Sequence, residues 1–500
     1  MRPLFLPAAT VLGLISAANA QIGPDDVVDS MRALDDDGEW LTIQTERRGD
    51  GIAITSLSLT IGEALTVDLS GAAYELAPSD DADWDVVGRI DGTVTADVTV
   101  RQNGESLTYS FDMDDTDGTY LFRGEPGAIE RRAQAQSIVV TFDAEMEEGT
   151  VGLIRTTGTQ TITDYLSSYV PGGDPSSGRM ELSIGRMEGA TRAEVDGQLL
   201  NRTISFVDDT RAILDWQGLE ILTLLGDAEA LDAFLEAGEI FDRDTRLSIE
   251  QSTGAFRSMT ETAVPGAEPI LFDVLGDTSR SDADLNEIGV GVAGSVEDLV
   301  LKVSGPVIPI EKPSITIAEM AADFTIPLYR SDEVQQMDVG LTLSDVELSD
   351  GLWDVIDATG DLDRSELDLV IDTLLGVTLT RSIFDAERDK EIALELNSLD
   401  LITAQLDALG AELDITGQIG FETVAGQPLP VDGQLDARAT GIDAMIADLI
   451  SAGALPPPVV QQIRMMTGLM LAPTSEPDSY TSEITFGPGG AITANGVPLQ

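Results

Sequence analysis

Cysteine and histidine are absent from this 500-residue chain. Without a thiol or an imidazole there can be no cysteine nucleophile, no Ser-His-Asp triad and no conventional Cys/His zinc site, so most hydrolase templates are excluded. Catalysis would have to rest on carboxylates, Ser/Thr, Tyr, Lys or Arg. Basic side chains are scarce too: 28 Lys and Arg stand against 89 Asp and Glu, a net charge of -61. Lysine occurs only at Lys302, Lys312 and Lys390, and the pairs Arg47-Arg48 and Arg131-Arg132 stand isolated. No basic patch offsets a field that repels polyanions, which excludes nucleic acid as a partner. The charge reads as a solubilising surface suited to a salty habitat, with recruitment of a basic partner or of divalent cations as the sharper alternative. Aromatic residues are only 5%, short of the stacking platforms that sugar and nucleotide sites favour, while 42% hydrophobic residues make the chain too apolar for disorder.

What is present starts with MRPLFLPAATVLGLISAANA. Arg2, an apolar run over residues 4–15 and the small-x-small Ala18-Asn19-Ala20 form an export signal over residues 1–20, with cleavage expected after Ala20. The run is shorter than a bilayer span, and no later segment has 18 uninterrupted apolar residues. The expectation is an exported, periplasmic protein with no transmembrane segment in the mature chain.

Residues 25–34 place Val27, Val28, Met31 and Leu34 on one helical face, with acidic residues in the first turn. Strand-like alternation follows. In GIAITSLSLTIG the phase changes near Ser56, as at a β-bulge. Asp91-Gly92, Asn103-Gly104 and Asp117-Gly118 are tight-turn dipeptides and predict hairpins in a meander. The pattern predicts a β-rich region over residues 21–209, a helical segment over 210–242 and a β-rich C-terminal region over 243–500. Within the last, a short helix is expected over 282–288 and a helical pair near 442–472, interrupted by Pro456-Pro457-Pro458. The fold class is α+β, mainly β: large curved antiparallel sheets with several short helices packed on or between them.

The acidic stretch LSDGLWDVIDATGDLDRSELDLVID (348–372) asks whether its carboxylates do chemistry. Leu352, Trp353, Val355 and Ile356 share one side of a short helix, with Asp354 and Asp357 expected to face water. In SELDLVID, Leu367, Leu369 and Ile371 alternate with Asp368 and Asp372, as on a half-solvated strand. Calcium is the rival reading: Asp361, Asp363, Ser365 and Asp372 match positions 1, 3, 5 and 12 of a calcium loop, against Glu366 where the turn wants Gly and Asp rather than Glu at the end. DMDDTDG (112–118) reads as a hairpin tip. A glycosidase would need two carboxylates beside aromatic platforms, and Trp40, Trp84, Trp216 and Trp353 are dispersed. No catalytic residue and no cofactor site is assigned.

That acidic stretch, then RMMTGLMLAP (464–473), then YTSEITFGPGGAITANGVPLQ at the C-terminus resemble the DUF2125 family, best from Pro306 onward. The resemblance implies an exported protein of alphaproteobacterial type and carries no catalytic residues. Where Gly and Pro commonly follow the short Trp helix in that family, this chain has Ala358-Thr359-Gly360. The expected role is a non-enzymatic periplasmic one, with an apolar ligand, a lipid or an envelope protein as partner. A carboxylate-based enzyme acting on envelope polysaccharide and a calcium-stabilised structural or adhesive module are the alternatives.

Overall fold

A computed structural model describes the chain except residues 1–21, 33–40, 62–64, 72, 103–104, 127, 149–151, 173–175, 219–244, 287, 307, 329, 358, 361, 381–393, 425–426 and 500. The expected export signal, Leu34, Trp40, Asn103-Gly104, Asp361 and the strongest part of the expected helical segment therefore lie outside the described residues. Two compact units divide the chain, Met1–Pro269 and Ile270–Gln500. Both are built mainly of antiparallel strands, with four α-helices among the described residues.

The N-terminal unit opens with α1 (Pro24–Arg32), whose Val27, Val28 and Met31 are fully buried. Asp26 accepts a hydrogen bond from the Gly23 N–H (2.7 Å), and the first-turn acids favour the positive end of the helix dipole. The strands follow as β1 (Leu41–Arg48), β2 (Gly51–Ile61), β3 (Leu65–Ser70), β4 (Ala73–Pro78), β5 (Val86–Asp91), β6 (Thr93–Gln102) and β7 (Glu105–Thr116). Next come β8 (Thr119–Glu125), β9 (Ala128–Glu148), β10 (Gly152–Pro171), β11 (Gly178–Val195), β12 (Gln198–Gln217), β13 (Arg246–Thr253) and β14 (Phe256–Thr262).

The sheet forks at β2. Its first half, Ile52 to Ile54, pairs with β4, and its second half, Leu57 to Ile61, pairs with β3. The division falls on the bulge foreseen near Ser56: the register against β1 shifts so that Gln44 opposes Ser56 and Thr45 opposes Ile54, leaving Thr55 extra. A one-residue shift in a period-two strand turns the following side chains to another face. Ile52 and Ile54 accordingly join one core with α1, Tyr74, Leu76, Phe122 and Ile129, while Leu57 and Leu59 join a second with Val67, Leu69 and Val94. One branch runs β3-β6-β7 and the other β4-β5-β8; both rejoin on β9, β7 along Ser137 to Ala144 and β8 along Ala128 to Gln134.

The fork overturns part of the expected meander. Gln102 does pair with Glu105, so β6 and β7 form the expected hairpin. At Asp91-Gly92 and Asp117-Gly118, however, the chain crosses from one branch to the other: β5 pairs with β4 and β8, and β7 with β6 and β9. Gly92 (φ 105°) and Asp117 (φ 68°) are left-handed, so the dipeptides mark the reversals correctly without naming the partners. Residues 210–217, expected to be helical, are the end of β12, held between β11 and β13. Residues 282–285, likewise expected to be helical, lie in a strand paired with residues 290–293. In both places a short apolar pattern allowed either period, and the neighbouring strands decided.

The C-terminal unit contains β15 (Ile270–Gly276), β16 (Thr278–Leu285), β17 (Val290–Ser304), β18 (Ser314–Ile326), β19 (Gln335–Leu348), β20 (Leu367–Leu379) and β21 (Leu394–Ala408). It continues with β22 (Ala411–Val424), β23 (Gln427–Thr440), β24 (Ala472–Pro473), β25 (Ser479–Gly487), β26 (Ala491–Ala494) and β27 (Val497–Pro498). From β17 to β23 each strand pairs with the next in sequence, and β25 then pairs with β23. Helix α2 (Asp350–Ile356) follows β19, while α3 (Ile442–Ser451) and α4 (Pro457–Met470) separate β23 from β24. The proline triplet opens α4 from its cap, Pro456, because Pro in the first turn forfeits no intrahelical hydrogen bond.

Gly417 and Gly433 lie diagonally in β22 and β23 at φ 139° and 135°, where a Cβ would meet the Gln434 and Gln418 carbonyl oxygens at 2.2 and 2.3 Å. Gly417→Ala is expected to cost about 1–3 kcal/mol, from the strained φ and the backbone clash. A denaturation midpoint unchanged from the parent would refute this.

Candidate functional site

Side chains directly opposite each other in an antiparallel ladder share a face, so the registers sort the C-terminal sheet. One row crosses nine strands: Val292, Phe324, Val339, Thr373, Leu401, Gly417, Leu435, Ile484 and Ala494. Beside it run Ala322, Leu341, Ile371, Ala404, Ile415 and Ala437, and beyond those Met320, Leu343, Leu369, Leu406, Leu413 and Ala439. The reverse face carries Thr325, Asp338, Leu374, Asp400, Gln418, Gln434 and Thr485. Leu369 and Ile371 lie on the apolar face, and Asp368 and Asp372 lie on the other, as their alternation predicts.

That apolar face is incompletely covered. A sheet with one hydrophobic face must ordinarily bury it against another layer, and in the N-terminal unit this happens: both clusters of buried apolar side chains found among the described residues lie there. On the C-terminal face, burial is confined largely to its ends. Val377 and Leu379 are buried toward one end of β20, and Ala411 and Ala439 toward the opposite end of β22 and β23. Between them Leu341, Ile371, Leu399, Leu401, Ile415 and Ile419 are only half-buried, and Phe324 and Met320 are each 39% exposed. The missing signal in the sequence was coverage, since a strand facing a second layer and one facing a ligand show the same alternation.

A second unusual site lies in the N-terminal unit. The row Val86, Phe122, Arg131, Tyr169, Met180, Leu214 and Ile249 is apolar except for one guanidinium. Arg131 is 4% exposed and lies 4.6 Å from the centre of the Tyr169 ring, which stacks on Trp216 at 5.9 Å. Burial pushes its guanidinium down to about 9, only partly opposed by Tyr169 and Tyr74. Desolvation likewise raises the Tyr169 hydroxyl. Neighbouring Arg132 lies with Asp117, Asp164 and Tyr165 in a cleft of about 380 Å³, but Trp84, Trp216 and Trp353 are absent from its lining, which leaves it without the indole platform a polysaccharide site favours.

The acidic stretch proves structural where it is described. Asp363 accepts a hydrogen bond from the Ser365 N–H (3.1 Å). Asp372, by contrast, lies well inside β20, about 20 Å along the extended chain from Ser365. The described members of the calcium pattern are therefore not brought together, and no group of three or more acidic side chains positioned for a metal ion occurs among the described residues. Asp357, expected to face water, is instead wholly buried. The helix stops at Ile356, and the Asp357 carboxylate turns onto the next loop, accepting from Thr359 Oγ1 (3.0 Å), the Gly360 N–H (2.9 Å) and the Leu362 N–H (3.0 Å). Arg364 stands 3.8 Å from that carboxylate and 5.9 Å from the Trp353 ring centre. Trp353 is buried, whereas Val355 and Ile356, assigned to the same helix side, are exposed. The local signal was Asp-x-Thr-Gly, an aspartate-headed turn.

A family model described as an uncharacterized protein conserved in bacteria, DUF2125, matches residues 203–499. The chain belongs to this family. The DUF2125 match begins well before Pro306 and takes in the last strands of the N-terminal unit as well as the apolar sheet. No curated protein and no solved structure matches the chain. Among the described residues of this DUF2125 protein no helix is long and apolar enough to cross a membrane.

Proposed function

We propose that this is an exported, non-enzymatic envelope protein whose C-terminal sheet binds hydrocarbon chains, those of a lipid or another amphiphile. The observation that carries the reading is the apolar face left half-open across β17 to β25, between ends that are buried. Water in contact with so much apolar surface is costly, at about 25 cal/mol per Å², and flexible acyl chains match a surface of Leu, Ile, Val and Met with no fixed polar pattern. Irregularities recur across this sheet: Asp298 and Asp345 are left-handed within β17 and β19, and the register shifts at Asp372/Thr373 and Leu401/Ala404. Bulges bend strands, which supports a sheet curved into a trough.

The test is organic extraction of the protein purified from its own envelope, followed by lipid mass spectrometry, with binding of an apolar fluorophore measured in parallel. A stoichiometric lipid in the parent protein is expected. Ile371→Glu, which charges the middle of the face, should weaken fluorophore binding about tenfold or more while circular dichroism stays unchanged. An empty extract together with no fluorophore binding would end the proposal and turn attention to a protein partner.

A further inference from the structure

The apolar outer face of α4 lies on the longest stretch of this chain without acidic residues. Residues 449–475 contain neither Asp nor Glu, and their only charged side chain is Arg464, in a protein with 89 acidic residues among 500. Helix α4 occupies most of that stretch. Its inward side is set by Val460, which is buried, with Ile463, Thr467 and Met470 half-buried. At 100° per residue, Met465, Leu469, Met466 and Val459 fall within about a third of the circumference on the outward side. Their exposures are 66, 51, 52 and 39%. Gln462 is the only polar side chain within that arc.

We infer that α4 docks this protein on a phospholipid bilayer surface, lying in the interface with Met465, Met466, Leu469 and Val459 among the acyl chains. Charge singles out this occupant. Elsewhere the dense acidic surface is repelled by anionic headgroups, whereas α4 brings no carboxylate and one guanidinium to the headgroup layer. Its composition points the same way. Protein-binding hot spots are built from Trp, Tyr and Arg; the outward arc has no aromatic side chain and no hydrogen-bonding pattern beyond one amide, and its unbranched methionines adapt to a fluid surface. A helix of 14 residues is about 21 Å long, enough to lie in an interface and too short to span one. The inference goes beyond the sheet-face reading and stands without it, since an empty lipid extract would leave α4 binding intact.

Flotation of the full protein with vesicles of phosphatidylethanolamine and phosphatidylglycerol tests it. The parent should float with the vesicles. Met466→Glu combined with Leu469→Glu should lower the partition coefficient about tenfold or more, because two charged side chains replace two inserted apolar ones. Val424→Glu is the control: Val424 is an equally exposed apolar residue, 52%, beside the β22–β23 hairpin, and its replacement should leave flotation within about twofold. Failure of the parent to float overturns the inference, as does equal loss from Val424→Glu or no loss from the double variant. It is overturned too if sedimentation without vesicles shows a parent dimer that the double variant dissociates, which would make a second copy the occupant of the face.

Discussion

Asp357→Ala is expected to destabilise the C-terminal unit by about 3–5 kcal/mol, the usual cost of breaking a buried, hydrogen-bonded charged cluster from one side. The carboxylate is completely removed from solvent and accepts three hydrogen bonds from the turn that follows it. Removing it takes the acceptor from the Leu362 N–H and leaves the Gly360 N–H with only the longer bond to the Asp357 carbonyl at 3.4 Å. It also deprives Arg364 of its nearest buried counter-charge, although Arg364 still reaches Asp354 at 3.4 Å and the Asp357 carbonyl at 3.4 Å. Asp357→Asn tests the mechanism: it keeps the shape, yet one oxygen becomes an NH2 group facing donors, so most of the loss should persist. Arg364→Met should cost much less, since that side chain is partly solvated. Urea denaturation followed by Trp353 fluorescence checks the series, with Trp40, Trp84 and Trp216 replaced by Phe so that a single indole remains. A loss under about 1 kcal/mol for Asp357→Ala would show that the turn is held by other contacts.

Arg131→Met should act in the opposite direction, raising stability at neutral pH by about 1–4 kcal/mol. Methionine preserves much of the length and the contact with the Tyr169 ring while removing the cost of holding a cation in an apolar row. The pH dependence gives the sign. In the folded protein the guanidinium is pushed down to about 9, well below its ordinary value. Between those values the unfolded chain binds more protons than the native one, so this group makes stability rise as pH rises through that window, and its penalty is fully present below about 9. The advantage of Arg131→Met over the parent should therefore be flat from pH 6 to 8 and shrink above about 9. A variant less stable than the parent throughout would mean that the stacking and polar contacts around Arg131 outweigh its desolvation. If the expected gain is found, the parent keeps a buried cation at a cost to stability, as residues held for function commonly do.

Much of the fold was legible because its signals are local. Alternation in MDVGLTLSDVEL, AELDITGQIGFET and GQLDARATGI corresponds to β19, β22 and β23, and the phase change near Ser56 corresponds to the bulge at Thr55. Asn495-Gly496 turns the final hairpin, with φ of 51° and 75°. The helical pair near the C-terminus was readable from its 3.6-residue period and its prolines. Errors arose where one local pattern suited two structures. Thr210 to Gln217 and Asp282 to Leu285 had few enough apolar residues to fit either period, and their strand neighbours settled the matter. Asp357 was assigned to water because charge on a helix usually faces out, but at the helix end its carboxylate could reach three donors in the following turn.

The sequence by itself determined which chemistry is impossible without Cys and His, the acidic surface, the dominance of antiparallel strands, the positions of most reversals and which residues of each strand share a face. Each follows from composition or from interactions spanning only a few residues. Only the tertiary structure decided that β5 and β6 part at Gly92 into different branches, that Arg131 lies buried in an apolar row, and that the C-terminal apolar face remains half-open while the N-terminal unit gathers two buried apolar clusters. Those outcomes depend on which distant strand supplies the facing hydrogen bonds and on whether a second layer covers a face. A strand's own residues encode neither, because its alternation is the same whether it packs against protein, a ligand or water.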